Sequence, residues 1–256
     1  MLQLVDSHAH IYDQKFNNDL DEIIQKCKKE GVERIFMPNI DPDSIDAMLE
    51  VESNHPDFCI PMMGLHPGSV NEDFREKLQV TEEWLHKRKF AAIGEAGLDL
   101  YWDDSYIEQQ KQTLEIQIQW AKSFRLPIVL HFREAFDETF KLIEKHQDGN
   151  LNGVFHCFTG TVEEAKKITG LNFKLGIGGV LTFKKSDLGE VLKEISLQHL
   201  LLETDSPYLA PAPFRGKRND PSKLRIIAEK LGETYQEDVA TIGKITSENS
   251  YALFNS

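Results

Sequence analysis

Residues 2–10 read L-Q-L-V-D-S-H-A-H, a short apolar run that ends on an acid and two histidines. The apolar part has the length and composition of a buried strand. The same unit recurs down the chain as an apolar run, a polar tip and then an amphipathic stretch. The later runs are R-I-F-M from Arg34, F-C-I-P-M-M from Phe58, F-A-A-I from Phe90 and P-I-V-L from Pro127. G-V-F from Gly153, F-K-L-G-I from Phe173 and H-L-L-L from His199 complete the series. Between them, residues 19–30 place Leu20, Ile23, Ile24 and Cys27 on one helical face, with Gly31 to stop it. Residues 107–124 do the same with Ile107, Leu114, Ile118 and Ala121. Residues 161–168 open T-x-E-E-A, with acids in the first turn. Residues 221–231 and 237–253 add two helices after the last run. Strands alternating with helices predict a parallel sheet. A doubly wound open sheet is the rival. The count of eight and the residues gathered at the tips favour a (β/α)8 TIM barrel with extra C-terminal helices, one domain over residues 1–256.

The 256 residues are 40% hydrophobic and 28% charged, which excludes disordered and fibrous classes. A net charge of −13 argues against a protein that coats duplex DNA, since such binding neutralises phosphates with bound cations. It leaves room for a small, locally positive site that takes one strand end. Cys27, Cys59 and Cys157 show no C-x-x-C spacing, so neither a disulfide framework nor a cysteine zinc site is expected, and a reducing cytoplasm fits. No apolar run reaches the length of a membrane span and no signal segment precedes the first strand, so a cytoplasmic protein without a membrane partner is expected.

The polar tips carry the chemistry. They are Asp6, His8 and His10 after the first run, His66 after the third and Glu95 after the fourth. His131, His156, Glu203 and Asp205 follow the fifth, sixth and eighth. Five of the nine histidines stand at these tips. In a barrel the carboxyl ends of all strands meet at one face, where the active site lies. His8 and His10 are two apart, and on a strand such residues point to the same side. Imidazole and carboxylate together suit Zn or Mn, with Mg possible where carboxylates dominate.

The segments L-V-D-S-H-A-H-I, G-L-H-P, G-E-A-G-L-D, P-I-V-L-H-F-R-E-A, F-H-C-F-T-G, L-L-L-E-T-D-S-P and P-A-P-F-R-G-K-R-N-D-P run in order through most of the chain. They resemble the TatD family of metal-dependent deoxyribonucleases, within the amidohydrolase-like superfamily. One departure is Tyr12, where family members carry Asp or Asn. The resemblance implies a two-metal site. His8, His10, Glu95 and Asp205 would hold one ion. Glu95, His131 and His156 would hold the other, with Glu95 bridging. Catalysis would use a two-metal-activated water, with Asp205 as general base, to hydrolyse DNA phosphodiesters as a 3′-to-5′ exonuclease on single-strand ends.

On the substrate side, His66 and Arg133 read as phosphate contacts, Arg133 being two past His131 and so on the same side. Glu203, two before Asp205, is expected to face the substrate site and orient a ligand. Residues 215–225 hold Arg215, Lys217, Arg218, Lys223 and Arg225 against Asp220, a net +4 patch expected to guide a strand. Trp102 is a candidate for stacking on a base. Cys157 is expected in the core, facing away from His156, and Trp84 and Trp120 are read as packing residues. G-I-G-G at residues 176–179 reads as a tight turn. No nucleotide-cradling or serine-hydrolase motif is present. Because a fold does not fix a substrate, other reactions stay open: a D-aminoacyl-tRNA deacylase, a lactone or phosphotriester hydrolase, or a metal-binding scaffold without activity.

Overall fold

Each apolar run becomes a strand in the computed structural model, which describes residues 2–101 and 105–254. The strands are β1 (Leu4–Asp6), β2 (Val32–Pro38), β3 (Cys59–Met62), β4 (Ile93–Asp99), β5 (Ile128–Arg133), β6 (Gly153–Phe155), β7 (Phe173–Ile177) and β8 (Leu200–Leu202). The helices are α1 (Leu20–Lys29), α2 (Ile45–Asn54), α3 (Phe74–Lys87), α4 (Ile107–Phe124), α5 (Phe136–His146), α6 (Val162–Gly170), α7 (Leu188–Leu192), α8 (Leu224–Tyr235) and α9 (Val239–Phe254). Among the described residues no helix is long and apolar enough to cross a membrane. Trp102 lies outside the described residues.

All strand pairs are parallel, in two runs, β1-β2-β3 and β4 to β8. Two seams join the runs into a barrel. At the first, Met63 pairs with Ile93, and Gly94 N donates to Met63 O at 2.9 Å. At the second, Ala9 pairs with Ser206, while Ser7 N donates to Leu202 O and Asp205 N to His8 O, both at 2.9 Å. Asp6 belongs to this second seam. Its carboxylate accepts from Thr204 N (3.0 Å), Thr204 Oγ1 (2.6 Å) and His8 N (3.2 Å). Helix α9 packs across β1 and β8, and Asn249 Nδ2 donates to Leu197 O and Leu200 O.

Side-chain parity then delivers the site. Val5, Phe36, Met62, Ala92, Val129, Val154 and Leu201 form an apolar cluster with Leu253 and Phe254 of α9, which fills the barrel interior. Two residues beyond Val129, Val154 and Leu201 come His131, His156 and Glu203, so these share the inward side. At β4 the register shifts between Ile93 and Ala96. Such an irregularity re-aims side chains, and here it turns Glu95 inward although Ala92 also faces in. Glu95 therefore lies within β4, not beyond its end. The inward position of β7 is Gly176, where a Cβ would stand 2.1 Å from Glu203 Oε2; the missing side chain makes room for that carboxylate. Helix α6 starts where T-x-E-E-A places it and opens with a capping box, Thr161 Oγ1 accepting from Glu164 N. Helix α4 buries two glutamines that hydropathy alone does not explain. Gln117 bonds both N and O of Leu65, next to His66, and Gln110 bonds both N and O of Asp99.

Candidate metal centre

Glu95 is the hub of the polar cluster and is 2% exposed. Its Oε2 lies 3.2 Å from His8 Nε2 and 3.4 Å from His10 Nε2. Its Oε1 lies 2.8 Å from both His131 Nδ1 and His156 Nε2, and 3.5 Å from His66 Nε2. Asp205 Oδ1 stands 3.8 Å from both His8 Nε2 and His10 Nε2. The rings of His8 and His156 stack at 4.0 Å. The barrel thus brings His8, His10, Glu95, His131, His156 and Asp205 together from five strands, and adds His66 at the edge.

Carboxylates stand behind two of the rings, within hydrogen-bond distance at His131. His131 Nε2 meets Asp99 Oδ2 at 3.0 Å, and Asp99 is itself held by Tyr101 N at 3.0 Å. His156 Nδ1 faces Glu203 Oε1 at 3.6 Å, and the same oxygen accepts from Cys157 N. A carboxylate behind an imidazole fixes its tautomer and turns the other nitrogen's lone pair toward a cation. Glu203 is fully buried behind His156, so it backs a candidate ligand and does not face substrate, which corrects the expected placement.

Electrostatics follow from this crowding. Burial alone would raise Glu95, yet His156, His66 and His8 hold it well below the usual carboxylate range. Burial opposes protonation of His156, but Glu95 and Glu203 lift it well above the ordinary imidazole value. Burial pushes Asp205 up to about 6, with Glu95 and Glu203 adding to the effect. Burial pushes His8 well down.

The donor set fits divalent cations. Ligands bonded at 2.0–2.2 Å lie about 3.0–3.5 Å apart around one ion, which is the spacing among His8 Nε2, His10 Nε2 (3.3 Å) and Glu95 Oε2. His131 Nδ1 and His156 Nε2 are likewise 3.3 Å apart. Among the described residues, three triads have ligand atoms all within 4.8 Å of one another: His8–His156–Asp205, His8–His10–Glu95 and His66–Glu95–His131. Glu95 divides its two oxygens between two groups of nitrogens, the arrangement expected of a carboxylate shared by two ions.

A family model described as TatD related DNase matches residues 5–255. The chain belongs to this family. It is 38% identical over 252 residues to a metal-dependent hydrolase of Bacillus subtilis (strain 168), YabD, covering 98% of each chain. The crystal structure of YjjV, a TatD homolog from Escherichia coli K12, superposes with a TM-score of 0.92 at 30% identity, covering 99% of this chain and 98% of that one. A TatD family hydrolase from Entamoeba histolytica, 21% identical, shares the fold with a TM-score of 0.83 over 98% of each chain. The protein is a TatD-family metal-dependent hydrolase.

The mouth of this TatD-family barrel carries exposed arginines. Arg133 emerges exposed at the end of β5, its guanidinium 3.7 Å from the Tyr101 ring centroid. Arg215 is exposed and stacks 4.1 Å over Phe183. The rest of the anticipated basic patch is largely committed elsewhere. Arg218 donates to Asp19 and to Lys15 O. Lys223 is buried against Asp220, and Arg225 pairs with Glu229 and Glu30. These partners neutralise the charge that the linear count suggested, leaving Arg215 and Lys217 facing outward. Cys157 is half-buried, not a core residue, because the chain leaves β6 at Phe155 and turns with φ +50° at Cys157. Asp99 escaped the sequence reading, although it lies on β4 four residues past Glu95 and so on the same face. The parity rule that linked Arg133 to His131 would have found it.

Proposed function

We propose that this hydrolase cleaves DNA phosphodiesters from single-strand ends, as a 3′-to-5′ exonuclease. In this reading His8, His10, Glu95 and Asp205 hold one divalent ion, and Glu95, His131 and His156 hold a second, from among Zn, Mn and Mg. Bound there, the ions would supply Lewis acidity to water and to phosphoryl oxygens. The observation that carries the reading is the split of Glu95 between two nitrogen groups beside a second carboxylate, Asp205. Asp205, whose Oδ1 stands 3.8 Å from both His8 Nε2 and His10 Nε2 at the edge of the cluster, suits the general base.

His66 suits a phosphate contact better than a ligand. Its Nδ1 accepts from Gly68 N at 2.9 Å, and burial lowers its affinity for a second proton. The neutral ring therefore carries its proton on Nε2 and presents a donor where the cluster ends. Arg133, held against Tyr101, adds a cation at the rim. The acidic body disfavours a duplex and leaves a strand end as the form of DNA to be taken.

The test is release of nucleotides from end-labelled single-stranded DNA with and without added divalent ion. The expected result is ion-dependent release. His66→Ala and Arg133→Ala should each lower kcat/KM about ten- to a hundredfold, the range for losing a hydrogen bond to a charged group. Arg218→Ala, whose guanidinium is tied to Asp19, should not change it. No release with any ion would reject the proposal and turn the search to D-aminoacyl-tRNA, lactones and phosphotriesters.

A further inference from the structure

We propose that Tyr12 is a positioning residue for the metal centre, fixing His10 as the tautomer protonated on Nδ1 so that its Nε2 lone pair faces the cluster. The inference rests on the two-ion reading above for what His10 binds, but its first step needs only hydrogen-bond accounting. Tyr12 is 7% exposed, and its hydroxyl stands between two groups. It donates to Pro38 O at the end of β2. It also meets His10 Nδ1 at 3.0 Å.

A phenol has one proton. A carbonyl oxygen has none to offer, so the proton between Tyr12 and Pro38 is the phenol's own. Toward His10 the hydroxyl oxygen is then an acceptor, and His10 Nδ1 must be the donor. A neutral imidazole protonated on Nδ1 keeps its lone pair on Nε2. That atom faces His8 Nε2 at 3.3 Å, Glu95 Oε2 at 3.4 Å and Asp205 Oδ1 at 3.8 Å. The Tyr12 ring also stands edge-on to His10, centroids 5.8 Å apart at 80°, which restrains the imidazole plane.

His8 differs from its neighbour. Its Nδ1 is buried and has no hydrogen-bond partner among the described residues. Of the H-x-H pair, His10 is therefore the histidine with an oriented outer nitrogen. His131 has Asp99 in the equivalent place at 3.0 Å, while His156 Nδ1 has Glu203 facing it at 3.6 Å without a hydrogen bond. Tyr12 does with a neutral hydroxyl what Asp99 does with a carboxylate, and it anchors the first histidine loop to β2 as well. Loss of such an outer partner typically weakens metal binding ten- to a hundredfold.

Two measurements test this. In the ion-free protein, nitrogen-15 NMR of labelled histidine should show His10 as the Nδ1–H tautomer, and in Tyr12→Phe that preference should be lost. In chelator competition with Zn2+ and with Mn2+, Tyr12→Phe should weaken one site about ten- to a hundredfold and leave the other within a factor of a few. The activity of the fully loaded variant should fall in kcat with KM little changed. A parent His10 protonated on Nε2, or a folded Tyr12→Phe with both affinities unchanged, would overturn the proposal. If the parent takes up no ion, the metal-centre reading fails, and the tautomer spectrum still decides whether Tyr12 sets the ring. The spectrum of the parent needs no variant, so a Tyr12→Phe chain that does not fold leaves that decision intact.

Discussion

Glu95→Gln is expected to abolish hydrolysis and to lower the metal content of a chain that still folds. The glutamine keeps the shape and one carbonyl oxygen, but it replaces the second oxygen with an amide that repels cations. Glu95 Oε1 and Oε2 serve different nitrogen groups, so the change strikes both at once. Charge stabilisation by a bound cation is worth several kcal/mol, and about 4 kcal/mol is a thousandfold in rate. A loss of at least about that size in kcat/KM is expected, with bound metal reduced to one ion or none. Circular dichroism and denaturant midpoint check the fold. Activity within tenfold of the parent, with full metal content, would mean that Glu95 is not the bridge.

The second large effect concerns stability. Gly97 lies opposite His131 in the β4–β5 pairing, with φ at +148°. A Cβ on it would stand 1.9 Å from His131 O, a fixed backbone atom in the middle of the barrel wall. Neither strand can withdraw without breaking the β4–β5 ladder or moving His131 away from Glu95. Gly97→Ala combines a disfavoured backbone conformation with a clash against main chain, two mechanisms behind exceptional losses. More than about 4 kcal/mol is expected in denaturant unfolding, together with poor recovery of folded protein. A variant within about 1 kcal/mol of the parent would show that β4 and β5 are farther apart than described.

Much of this site was legible because a barrel converts one-dimensional periodicity into convergence. Once the eight runs are strands, His131, His156 and Asp205 follow from parity and strand ends alone. Glu95 also lies in the cluster, although its inward aim depends on a register shift at Ile93 to Ala96 that no periodicity reveals. Asp6 was grouped with the histidines as a tip residue, yet parity changes between Asp6 and His8, and its carboxylate clamps β1 to Thr204 across 198 residues. The pairing within the basic stretch was hidden for a related reason. Arg218 finds Asp19 at a separation of 199 residues, and a linear charge count cannot see partners brought in by the fold. Gln110 and Gln117 were invisible because an amide that bonds both groups of one backbone residue looks, in sequence, like any solvent-facing helix position. The tautomers of His10 and His66 depend on a carbonyl of β2 and an amide of Gly68, and these too exist only after folding.

The central claim is that Glu95 sits between two cations. The most direct test is a crystal of protein loaded with Mn2+ or Zn2+, with anomalous scattering recorded at the absorption edge of the ion. The account predicts two anomalous peaks per chain, about 3.5–4 Å apart, one against His8, His10 and Asp205 and one against His131 and His156, with a Glu95 oxygen on each. A single peak, or ions bound away from Glu95, would contradict it.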